Sequence, residues 1–247
     1  MATSGTTAFT LTRDNIIQYA LRKTGVLPLG VTPDATTVSN TAVALDMLIK
    51  SWITKGIKLW TIQELTIPLV ADQTTYNIGP TGALPTPTVI ADKPMKLMQA
   101  WLRNTSVTPN NDIPLQVISQ EQYNRFGSKF STGTSNAVYM QVGRDVSTVH
   151  TYLTPSTQAA SMYQLHILTQ RPLQDAGVST TNMDFPTEWL YALGWNLAAE
   201  IATDYGVEIE RLGYIEQKAA KFLQEVEDFD SEYNSIYFTP TQNRPTA

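Results

Sequence analysis

Residues 184–206, DFPTEWLYALGWNLAAEIATDYG, decide the fold. Leu190, Leu193, Leu197, Ile201 and Tyr205 recur every three or four positions, the spacing of one face of an α-helix. Ala192, Ala198, Ala199 and Ala202 widen that face and let a neighbouring helix come close. Asp184 is placed to cap the start, Pro186 suits a first turn, and Gly206 supplies a C-terminal stop. This packing helix follows a long run of strand-like sequence, 59–183, so the expected class is α+β. A helical bundle from N- and C-terminal helices holds an inserted small antiparallel β unit, and an extended C-terminal tail follows.

Upstream, residues 1–11 are small and polar and read as a flexible arm. Thr12 then caps a helix to about Lys23, with Ile16, Ile17, Ala20 and Leu21 facing inward and Gly25 as its stop. A second helix from about Ala35 to Lys55 carries Val38, Ala42, Leu45, Ile49 and Trp52 at helical spacing and ends at Gly56. The bundle is therefore expected over 12–58 and 184–227.

Between them the period changes to two. Leu65, Ile67 and Leu69 alternate with polar residues in a strand that Pro68 sends to a sheet edge, and Tyr76 and Ile78 mark the next strand. Met95 to Arg103 and Leu115 to Ile118 read as further strands, with a short helical piece from Ser119. Ala137 to Val142 and Ser147 to Leu153 flank Gly143-Arg144-Asp145 as a hairpin, and Tyr163 to Thr169 forms the last strand. Downstream, a final helix from about Val207 to Glu227 offers Ile209, Leu212, Ile215, Phe222 and Val226 to the bundle. In the tail, 228–247, Phe229, Tyr233, Ile236, Tyr237 and Phe238 stand among polar residues. They dock either on their own domain or on a partner, and exposed aromatic anchors are typical of interfaces.

At 247 residues the chain can bury a substantial core, and its 16% charged residues fall below the roughly 25% typical of soluble domains. The formal charge of −5 arises between Glu208 and Glu232, where eight acids face three bases. Glu208, Glu210, Glu216, Glu225 and Glu227 form either a solvated acidic face or a wall that meets a charged partner. There is no cysteine, no apolar leader opens the chain, and no run is long enough to cross a bilayer.

Catalytic motifs are wanting. His150 and His166 fall in different strands and lack the spacing of a helical zinc site, so no metal is expected. The acids from Glu225 to Glu232 fail as a calcium loop, since Tyr233 stands where glycine is required. No phosphate-cradling loop, nucleophile elbow or dinucleotide fingerprint is present, and no cofactor is expected. Glu64, Glu121 and Glu188 could serve as paired carboxylates only if the fold joins them. The scattered bases do not suit sequence-specific nucleic-acid recognition.

The order of elements carries a resemblance. The helix Leu45 to Trp52 ends at Gly56. It is followed by Tyr76-Asn77-Ile78-Gly79, Leu115-x-x-Ile118-Ser119, Tyr152-Leu153-x-Pro155 and Pro186-x-x-Trp189-x-x-Ala192-Leu193. From about Thr12 to Tyr237 the chain resembles the head-to-tail adaptor proteins of short-tailed bacteriophages, the group of tail accessory factors and tail tubular protein A. The resemblance implies a non-enzymatic virion protein, made in the host cytoplasm, that forms a ring of typically twelve copies beneath the portal. Such a ring extends the channel for double-stranded DNA and offers a platform to tail or nozzle proteins. It further implies that the C-terminal tail reaches the portal and that acidic residues face the passing DNA. The chain is longer than the smallest members, in the β region. The alternatives are a virion-associated cell-wall hydrolase and another tail completion protein.

Overall fold

Thr12 begins the first helix as its sequence predicts: its hydroxyl accepts the Asn15 N–H at 3.4 Å. The helix α1 (Arg13–Thr24) stops at Gly25, whose φ of +84° lies in the left-handed region. Helix α2 (Ala35–Ile53) starts on Asp34, which accepts the Thr37 N–H at 2.8 Å. The computed structural model describes residues 5, 9–56 and 59–230, so the expected tail beyond Asp230 and most of the N-terminal arm lie outside the described residues.

A short 3-10 turn (Leu59–Thr61) leads into strands β1 (Ile62–Pro68), β2 (Thr75–Gly79), β3 (Val89–Ile90), β4 (Lys96–Asn104), β5 (Asn111–Pro114) and β6 (Gln116–Val117). Helix α3 (Gln120–Arg125), opened by a Ser119 capping box, precedes β7 (Thr132–Gly133), β8 (Ala137–Val142), β9 (Ser147–Tyr152) and β10 (Thr154–Pro155). Helix α4 (Thr157–Met162) then delivers the chain to β11 (Tyr163–Gln170).

These strands form two main sheets, ordered β1-β11-β4-β5 and β3-β2-β9-β8-β6, with β7 and β10 as a separate short pair. The single antiparallel unit expected from sequence is thus a pair of sheets, and three of its short pairings are parallel: β2 with β3, β6 with β8, and β7 with β10. Alternation of side chains cannot reveal this, because it fixes which face is buried and leaves the pairing partner open. Ile67, Leu102 and Leu165 from one sheet and Tyr76, Val138 and Val149 from the other share one buried core. β1 is an edge strand, as Pro68 requires.

His150 in β9 forms a three-ring cluster with Tyr123 and Tyr139, 5.4 Å from each. Burial, and then the nearby Lys129 charge, push its pKa below the ordinary 6.5. The unfolded chain therefore binds more protons than the native one as pH falls through 6.5, and native stability is lost in that direction. His150→Gln should show a shallower loss than the parent between neutral and mildly acid pH in paired denaturation titrations. Identical slopes would contradict it.

The chain returns to helices at α5 (Thr187–Ala202) and α6 (Ile209–Phe229). α5 is nearly encircled, packing on α1, α2 and α6, and the bundle core runs from Ile16 and Leu45 through Leu193 and Ile201 to Ile215. At its base Trp52 and Trp189 are each 1% exposed and meet at 5.7 Å, with Phe185 and Trp60 completing an aromatic group. Trp60, Leu173, Ala176 and Met183 belong to this core, so the sandwich proper spans 62–170 rather than 59–183.

Several local readings change. Asp184 does not cap α5. Its carboxylate accepts two bonds from the Arg171 guanidinium, at 2.6 and 2.9 Å, and the Gln174 N–H at 3.1 Å. A bidentate, largely buried charge pair outcompetes one helix-end N–H, and Pro186 holds the cap position without a side-chain bond. α5 ends at Ala202, and a further turn closes at Gly206 with φ of +63°. Ile209, expected in the core, is 86% exposed, because the inward stripe of α6 starts at Leu212. α6 continues through Phe229, so this residue belongs to the helix and not to an extended tail. Among the described residues no helix is long and apolar enough to cross a membrane.

Candidate interaction surface

The residues expected to form sites are dispersed. Tyr233, Ile236, Tyr237 and Phe238 lie outside the described residues, while Phe229 stands 72% exposed at the end of α6. Glu208 immediately precedes α6, and Glu210, Glu216, Glu225 and Glu227 lie along it. At about 3.6 residues per turn, Glu216 and Glu227 share one flank, whereas Glu210 and Glu225 fall on the other flank beside Lys218 and Lys221. Lys221 lies 3.6 Å from Glu225, an exposed pair that contributes little. The run is therefore not one acidic stripe.

Nor does the fold join the proposed carboxylates. Glu64 lies 2.6 Å from His166 Nδ1, Glu121 pairs with Arg125 along α3, and Glu188 occupies the first turn of α5. His150 and His166 belong to different sheets. Among the described residues no three His, Asp or Glu side chains are placed to hold a metal.

What the fold does assemble is a surface that no single segment announces. Tyr191 and Trp195, one turn apart on α5, meet Phe222 of α6 at 4.5 and 6.2 Å, Tyr19 of α1 lies 6.1 Å from Tyr191, and Tyr214 lies 6.1 Å from Trp195. Cations are laid over these rings. The Lys23 ammonium is 4.8 Å from the Tyr19 ring and 5.1 Å from the Trp195 ring, and Lys218 is 5.5 and 5.8 Å from Tyr214 and Phe222. Burial, followed by the neighbouring Tyr191, raises the Tyr19 hydroxyl above its ordinary pKa, so it stays a neutral donor.

Two glycine-dependent approaches build this surface. A Cβ on Gly194 would meet the Tyr19 ring at 2.5 Å, so glycine lets α1 lie against α5 there. A side chain on Gly25 would meet the Arg211 guanidinium at 2.6 Å, and Arg211 uses that space to donate to the Lys23 carbonyl at 3.1 Å, at the end of α1. The result is an open trough in two continuous parts that share Arg22 and Tyr191. The more apolar part, about 400 Å³, includes Phe9, Leu11 and Leu190; the cationic part, about 670 Å³, includes Lys23, Trp195, Arg211 and Tyr214. Among the described residues no carboxylate lines either part. In a chain of net charge −5 this is a local reversal of sign.

Sequence reading missed the trough because its residues come from three helices. The signal available was Tyr214, Lys218 and Phe222, spaced four and four, with a cation between two rings on a face of which only Phe222 also reaches the core. Compared with known protein families and with curated proteins, the chain matches none.

Proposed function

We propose that the chain is a structural, non-enzymatic connector of a short-tailed virus particle, seated at the head–tail junction as a ring beneath the portal. One observation carries this reading. Helices from the two ends of the chain close into a single bundle with the β sandwich set between them, which is the layout the adaptor resemblance implies. The bundle supplies the ring, and the sandwich and bundle surfaces supply the platform for tail or nozzle proteins. Tyr233, Ile236, Tyr237 and Phe238 anchor the chain to the portal, as aromatic side chains do in hot spots. Glu216 and Glu227, on the flank of α6 away from the trough, repel phosphate and let double-stranded DNA slide without sequence-specific binding.

The test is electron microscopy of the purified chain mixed with the portal ring of the same particle. The expected result is a second ring capping the portal, with density from residues 233–238 in a portal groove. A chain that leaves the portal bare overturns the reading.

A further inference from the structure

The trough has a chemical complement within the same sequence. From Glu225 to Asp230 the chain carries four acids and no base, and the run ends in a helical turn from which Phe229 projects into solvent. A carboxylate-rich, aromatic-tipped helix end suits a groove whose walls are arginine, lysine and aromatic rings and whose lining holds no acid among the described residues.

The two features cannot meet within one copy. Arg211 at the trough and Phe229 lie near opposite ends of helix α6, about 27 Å apart at the usual rise per residue. We propose that the C-terminal turn of α6 from a second copy of this chain docks in the trough between α1, α5 and α6. Phe229 seats in the apolar part against Tyr191 and Leu190, and Glu225 and Asp228 meet Arg22, Lys218 and Arg211. Docking is head to tail. A reciprocal two-fold pairing that set Arg211 opposite Asp228 would set Lys218 opposite Lys221 in both directions, and like charges in register oppose it. A head-to-tail contact uses different patches on the two copies, and its repetition closes a ring when the rotation allows. The inference deepens the ring reading above and rests on it for closure; the docking itself rests on the trough.

Two variants of the full chain separate the halves of the contact. Arg22→Glu with Lys218→Glu reverses the trough, and Asp228→Lys with Phe229→Ala removes the helix end. Melting curves monitored by circular dichroism confirm that each stays folded. In sedimentation velocity at low salt the parent should self-associate and dissociate on adding salt, while each variant alone should associate about tenfold or more weakly. A mixture of the two should give a capped one-to-one dimer, because one intact trough and one intact helix end remain between them. A parent that stays monomeric at low salt up to its solubility limit overturns the proposal, as does a mixture that forms no dimer. The portal experiment fails separately. A chain that associates this way yet ignores the portal removes the connector reading and leaves the docking. Unaltered rings of both variants on the portal do the reverse.

Discussion

A chain cut after Asp230 is expected to melt at the temperature of the full-length protein and to lose the portal. The bundle core and the sandwich core lie before this point, and the helix is finished there: the Asp230 N–H donates to the Val226 carbonyl at 2.9 Å, and its carboxylate accepts the Leu59 N–H at 3.2 Å. The place of the cut matters. Ending the chain at Glu227, where sequence alone stops the helix, would also remove the Asp230 brace on the turn that feeds β1. A lost interaction would then be confounded with a loosened fold. Removing Tyr233, Ile236, Tyr237 and Phe238 deletes the four portal anchors proposed above, and truncating one interface hot spot commonly costs about 2 kcal/mol or more. Even a partial sum lowers portal affinity by about a thousandfold. Co-sedimentation with the portal ring reads the result, and a truncated chain that still caps the portal would remove the tail from the mechanism.

The second large effect is on stability. Trp189→Ala should cost about 3–5 kcal/mol and lower the melting temperature by on the order of 10 °C. Trp189 is 1% exposed and joins α5 to two other parts of the chain, meeting Trp52 of α2 at 5.7 Å and Trp60 at 4.8 Å. Its removal leaves a cavity among large rings that are held by separate backbone segments and cannot all collapse into it. Urea denaturation should show a lower midpoint with an unchanged slope. A loss below about 1 kcal/mol would mean that the aromatic group does not fasten the bundle.

Features that depend on neighbours in sequence were legible. Thr12 and Gly25 bound α1 as read, the Gly143-Arg144-Asp145 hairpin forms, and the α+β class follows from the change of period after α2. Features that depend on competition between distant groups were not. Asp184 is a good cap until Arg171 is brought beside it, and Ile209 keeps helical spacing but lies beyond the contact made by α5. Strand membership behaved likewise. β1 and β2 are consecutive in sequence, yet they belong to different sheets, because β1 takes β11 and β2 takes β9. The trough is the extreme case: Lys23 of α1 and Trp195 of α5 are far apart in sequence, and only helix packing lays one over the other.

The entrance and exit of the sandwich are adjacent. Ile62 faces Gln170 across a ladder, and the Arg171 N–H donates to the Thr61 carbonyl at 2.9 Å. To the bundle the whole sandwich is therefore a single loop whose ends are already tied together, and the entropy of closing such a loop grows only slowly with its length. The two parts are separable as modules: a lineage could enlarge, trim or exchange the sandwich while the helices keep their sequence.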